Sequence, residues 1–268
     1  MAVLPSGAQG AMEAFLNNCT SCGLCRKVCP FLREYGLPSE IIKIKTESVF
    51  LCTNCRACDR VCPESLHPSE ALLSLKYELI KEDRLSEDTK KAILSSRAFA
   101  MRGHRFPFVY YSRAETVFWP GCSLQGTRPD LVRTVLKNLK IRDNKTGLVL
   151  DCCFDPAYQN GDLHFLTEAT ERIRQRLSDH GIKRVITGCT NCLKIFRLYM
   201  PEIETIHVLE ALPQRESIPE RYIHTQKIYL HHPCPSFRFD EIREAAKNHI
   251  SSLKTKAESQ MPLCCGLG

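Results

Sequence analysis

No apolar run in the 268 residues approaches the roughly 18 positions that a membrane-spanning helix needs, so a membrane-embedded chain is not expected. The opening residues, MAVLPSGAQG, lack a basic start followed by an apolar core, so no secretory signal is expected and a cytoplasmic protein is. The G-x-G-x-x-G fingerprint is absent as well. A flavin or nicotinamide cofactor would therefore belong to another subunit. The charge sum, 37 − 30 = +7, points naively to nucleic acid. No aromatic–basic platform accompanies it, so no nucleic-acid partner is expected. Thiolates that ligate metal would offset much of that positive charge. Disorder as the main state is excluded by an ordinary balance of 43% hydrophobic and 25% charged residues. The length accommodates two domains, or three in a tighter division, at roughly 100–200 residues each.

What the chain does have is cysteine, 16 residues of it. With no secretory signal expected, a reducing compartment is expected too, and structural disulfides are rare there. The spacing argues more strongly for metal. Cys19, Cys22, Cys25 and Cys29 read C-x2-C-x2-C-x3-C before Pro30, and Cys52, Cys55, Cys58 and Cys62 repeat it before Pro63, offset by 33 residues. This is the ligand run of bacterial two-cluster ferredoxins. Three cysteines at two-residue spacing wrap a loop around three iron corners, and the displaced fourth points away to serve the other cube. Cys19, Cys22, Cys25 and Cys62 are thus expected to hold one [4Fe–4S] cluster, and Cys29, Cys52, Cys55 and Cys58 a second. Zinc fits poorly, because it favours paired C-x2-C knuckles brought together from separate places.

The surroundings of both motifs read as helical. GAMEAFLNN leads into Cys19, and Pro68-Ser69-Glu70 opens a segment with Leu72, Leu75, Leu79 and Ile80 at helical spacing. No hairpin is evident between the motifs. From residue 115 the pattern becomes alternating strand and helix: TVFWPGC, PDLVRTVLKNLKI, TGLVLDCC, DLHFLTEATERIRQRLSDHG, KRVITGC. This implies parallel βαβ units, with ligands beyond the carboxyl ends of the strands. Cys122, Cys152, Cys153 and Cys189 all follow strand-like runs, and Cys192 lies one helical turn on. The spacing from Cys122 to Cys152-Cys153 recurs from Cys234 to Cys264-Cys265, offset by 112 residues, which indicates a duplicated half. The second copy has three residues after its pair, where the first needs 39 to reach Cys192.

The set Cys122, Cys152, Cys153, Cys189 and Cys192 resembles the cysteine-rich CCG domain of heterodisulfide reductase. That domain also occurs in iron–sulfur subunits of glycolate oxidase, anaerobic glycerol-phosphate dehydrogenase and lactate-utilisation enzymes. Several of these fuse a helical two-cluster ferredoxin to a duplicated CCG domain, in the order met here. One position departs from the family: Phe154 follows the cysteine pair where glycine is usual.

The resemblance implies an α plus α/β architecture. A helical dicluster ferredoxin domain over residues 1–95 would join, through a linker at 96–113, a CCG domain over 114–268. That domain would be built of Rossmann-like βαβ halves, complete at 114–212 and truncated at 226–268. It also implies a third, noncubane [4Fe–4S] cluster held by the five cysteines, since an adjacent pair suits an opened cluster better than a regular cube.

The expected function is an iron–sulfur oxidoreductase subunit. It would pass electrons through two cubanes to the CCG site for thiol/disulfide chemistry like that of heterodisulfide reductase. The alternative is an electron-transfer subunit of a flavin-dependent 2-hydroxy-acid or glycerol-phosphate dehydrogenase, with no substrate site of its own. Either implies a hetero-oligomeric complex with a flavoprotein or other redox subunit. A membrane quinone-reactive partner would place the protein peripherally at the inner membrane face.

Overall fold

The computed structural model describes residues 8–101, 110–111, 114–213, 227–251 and 256–259. Cys264 and Cys265, and most of the expected linker at 96–113, lie outside the described residues. The chain divides into two compact units, residues 1–102 with 154–170 and residues 103–153 with 171–267. Boundaries at 95 and 114 divide the chain by pattern; packing assigns residues 154–170 to the N-terminal helices.

The first unit is helical. Its N-terminal part runs α1 (Ala8–Asn18), α2 (Leu24–Val28), α3 (Pro30–Tyr35), α4 (Pro38–Ile44), α5 (Ala57–Arg60), α6 (Pro68–Lys81) and α7 (Glu87–Met101). Proline occupies the first helical position of α3, α4 and α6, where its missing N–H is no loss and its fixed φ suits the helix. Pro30 therefore does more than end the first cysteine motif: it starts α3, with Cys29 as N-cap. Met12 and Phe15 of α1 pack with Leu32, Ile41, Val49, Leu72, Leu75 and Leu79 into one apolar core. Cys19, Cys25, Cys29 and Cys52 lie against that core, so both cysteine loops rest on packed helices.

The second unit holds the sheet. In chain order come β1 (Tyr110–Tyr111), β2 (Thr116–Trp119), α8 (Cys122–Thr127), α9 (Pro129–Arg142) and β3 (Gly147–Val149). After α10 (Asp155–Gln159), which belongs to the first unit, and α11 (Leu163–Asp179), which is divided between the two, come β4 (Arg184–Thr187), α12 (Thr190–Tyr199), β5 (Glu204–His207) and α13 (Val208–Ala211). Strands β3, β2, β4 and β5 lie side by side in that order, all parallel, and β1 adds an antiparallel edge beside β3. Val117, Phe118, Trp119, Val149 and Val185 are fully buried, as strands covered on both faces require. The strand order reverses between β2 and β4, which makes the crevice beyond their carboxyl ends the natural place for a ligand. Further on, β6 (Lys227–Leu230) and β7 (Lys256–Ser259) form a parallel pair with α14 (Asp240–Ser251) between them in sequence. The same strand–helix–strand order is seen in β2, α9 and β3, about 112 residues earlier.

Candidate metal centres

The two ferredoxin-type loops share their backbone conformation as well as their spacing. Ser21 and Gly23 in the first loop have φ of 55° and 76°; Asn54 and Arg56 in the second have 52° and 65°. These left-handed residues fall at equivalent positions and turn each loop tightly between its cysteines. A short helix then begins, α2 in one copy and α5 in the other, and carries Cys25 or Cys58 in its first turn. Gly23 meets this geometry without strain; Arg56 meets it held by Asp59, through an Nε–Oδ2 bond of 2.7 Å.

The cysteines sort into two groups, each drawn from both motifs. Cys19, Cys22, Cys25 and Cys62 line one cavity, which encloses about 380 Å³ of empty space including its open mouth. Burial pushes the Cys25 thiol up, and the neighbouring Cys19 and Cys22 push it further. In the other group burial raises Cys29, Cys52 and Cys58, and nearby thiols add to each. Cys29 feels Cys55, while Cys52 and Cys58 both feel Cys55 and Cys29. Crowded, half-buried thiols hold their protons against one another, and bound iron reverses that by supplying positive charge to thiolates. The donor set is all sulfur, which fits iron–sulfur clusters.

Charged residues that pattern reading missed surround the second group. Asp59 accepts from Ser69 N (2.9 Å), Ser69 Oγ (2.6 Å) and Arg56 Nε (2.7 Å), and so ties the loop to the start of α6. Lys76 of α6 is 1% exposed, and its Nζ donates to Cys52 O at 2.6 Å and Gln159 O at 2.8 Å. Burial draws the Lys76 ammonium below its ordinary value, and the charge of Cys52 draws it back. The one sequence signal was its position: Lys76 stands on the apolar stripe of α6, four residues after Leu72 and three before Leu79.

In the second unit, Cys192 of α12 hydrogen-bonds with Cys153 and Cys189, and these contacts, then burial, raise its thiol well above the usual range. Gly121, at φ +85°, precedes Cys122 at the start of α8. A Cβ there would stand 2.8 Å from Cys189 Cβ and 3.3 Å from Cys192 Sγ, so glycine is what lets the β2 turn approach these sulfurs. Cys152 and Cys153 are buried, Cys189 is half-buried and Cys122 is exposed. The structure therefore brings Cys153, Cys189 and Cys192 together, with the residue before Cys122 against two of them. Phe154 has the left-handed φ of 61° that glycine would adopt freely. Its ring is fully buried and stacks edge-on against Phe165 at 5.9 Å.

Loops of this kind are those of an iron–sulfur protein, and residues 15–66 match the family model of the 4Fe–4S dicluster domain. Over 274 aligned positions the chain is 26% identical to a fumarate reductase (CoM/CoB) subunit of Methanothermobacter marburgensis, covering 97% of this chain and 50% of that protein. It spans about half the length of the curated relative it matches. No solved structure matches it. Among the described residues, no helix is long and apolar enough to cross a membrane.

Proposed function

We propose that this chain is the iron–sulfur subunit of an oxidoreductase complex. It carries electrons between a redox partner and a thiol/disulfide site of its own. The observation behind this reading is the sorting of the ferredoxin-type cysteines into two sets that each mix both motifs. Cys19, Cys22, Cys25 and Cys62 hold one [4Fe–4S] cluster, and Cys29, Cys52, Cys55 and Cys58 the other. Cys122, Cys152, Cys153, Cys189 and Cys192 hold a third, noncubane cluster beyond the ends of β2, β3 and β4. When bound, such clusters supply one-electron carriage. The relative's name makes it one subunit of a fumarate reductase (CoM/CoB), which supports a redox partner subunit for this chain. The boundaries 1–95 and 114–268 remain the proposed functional halves.

At the second site a disulfide takes up two electrons and two protons and leaves as two thiols; in reverse, two thiols surrender them. The test uses anaerobically purified full chain, reduced and then mixed with 2-hydroxyethyl disulfide. Two thiols are expected per two electrons lost. In Cys192→Ala the release should stop while both dicluster signals in low-temperature EPR persist. Equal release by the variant would sink the thiol/disulfide site and leave an electron-transfer subunit alone.

A further inference from the structure

Lys76 is a lysine in a place that lysines avoid. Its side chain is buried along its whole length, with the ammonium 5.9 Å from the centre of the Phe50 ring. A buried cation is costly without an anion nearby. Cys52, one of the four cysteines of the second set, supplies that negative charge as a thiolate when it holds iron. The ammonium reaches the carbonyl of Cys52 directly, at 2.6 Å, and the carbonyl of Gln159 holds it from the other side at 2.8 Å. Gly161 fixes the stem, since even a Cβ at that position would stand 2.6 Å from Lys76 Cβ. The charge is thus pinned in one place beside the cysteine loop.

Among the described residues, the cavity of the first set has no counterpart to this lysine. The charged residue lining the cavity of Cys19, Cys22, Cys25 and Cys62 is Glu64, and the mouth of that cavity is open. Adding an electron to a four-thiolate cluster adds negative charge. Fixed positive charge in a low-dielectric setting favours that addition; a nearby carboxylate opposes it.

We propose that Lys76 is a positioning residue that acts through Cys52 to raise the reduction potential of the cluster held by Cys29, Cys52, Cys55 and Cys58 above that of the cluster held by Cys19, Cys22, Cys25 and Cys62. The electron then rests on the buried cluster, and the exposed one serves as entry or exit. This rests on the two-cluster assignment above.

The experiment is an EPR-monitored redox titration of the anaerobically purified full chain, wild type beside Lys76→Met, Lys76→Gln and Lys76→Arg. Wild type should show two one-electron midpoints from the dicluster, identified as those that persist in Cys192→Ala. In Lys76→Met and Lys76→Gln the higher midpoint should fall by at least a tenfold change in its reduction equilibrium, about 59 mV for one electron. The lower midpoint should hold, and Lys76→Arg should keep most of the wild-type value. Unchanged midpoints in both neutral variants, or movement of the lower one instead, would overturn the proposal. Loss of iron from both neutral variants would also overturn it, by assigning Lys76 to holding the loop. A wild type with fewer than about eight irons would defeat the two-cluster assignment itself, and that outcome is seen before any substitution is made.

Discussion

Asp59 and Cys29 show how single side chains define the second loop. Both Asp59 oxygens are committed, to Ser69 at the start of α6 and to Arg56 in the loop. Asp59→Ala removes charge-assisted bonds and leaves Ser69 N without that acceptor, an expected cost of about 2–3 kcal/mol. A lowered urea midpoint would record it, with Asp59→Asn recovering part of the loss. Cys29 is the sharper case. It sits four residues from Cys25, yet its thiol answers to Cys55. Cys29→Ser should alter the EPR signal of the cluster held by Cys52, Cys55 and Cys58 and spare the other. Change confined to the sequence-neighbouring cluster would show that the ligation is not crossed. Spacing alone predicts the crossing, because cysteine spacing is itself the geometric constraint. Asp59 and Lys76 were not legible in the pattern. Their roles depend on partners 10, 24 and 83 residues away, and a charge in an amphipathic segment ordinarily reads as solvent-facing.

At the scale of elements, strands that end in cysteines were legible: TVFW, GLV and RVIT are apolar runs that meet a turn. β5 was not, since ETIH carries no such run and becomes a strand by pairing in parallel with β4. His207 closes β5 and starts α13, where its Nδ1 accepts from Leu209 N at 3.3 Å. Burial, helped by the charge of Arg197, lowers His207 to about 4. The unfolded chain therefore binds this proton more readily, so the contribution is full above pH 6.5 and is lost as pH falls toward 4. Protonation also removes the Nδ1 lone pair that caps α13. Between pH 7 and pH 5 the wild type should lose about 2 kcal/mol more unfolding free energy than His207→Asn, which keeps a capping oxygen without the titration. Parallel pH profiles in urea would refute this. Gly161 is a second element-level contact: at φ +72°, with Tyr77 N 2.9 Å from where its Cβ would be, it lets the loop after α10 rest on α6. Gly161→Ala should cost about 2–3 kcal/mol, again read from the urea midpoint.

Across the whole molecule the cysteines respect the division into units. All eight of the ferredoxin-type motifs fall in the first unit, and Cys122, Cys152, Cys153, Cys189 and Cys192 all fall in the second. Two sets without a shared ligand in this assignment should respond to substitution independently. Four irons per centre give about twelve per chain when all three proposed centres are filled. Cys153→Ala combined with Cys192→Ala removes two of the three thiols that lie together beyond the sheet. Iron should then fall to about eight per chain, with both dicluster midpoints unchanged. Wild-type iron already at about eight, and indifferent to these substitutions, would mean that the sheet-end cysteines serve as thiols without metal. A fall below about eight would mean that the two sets are not independent.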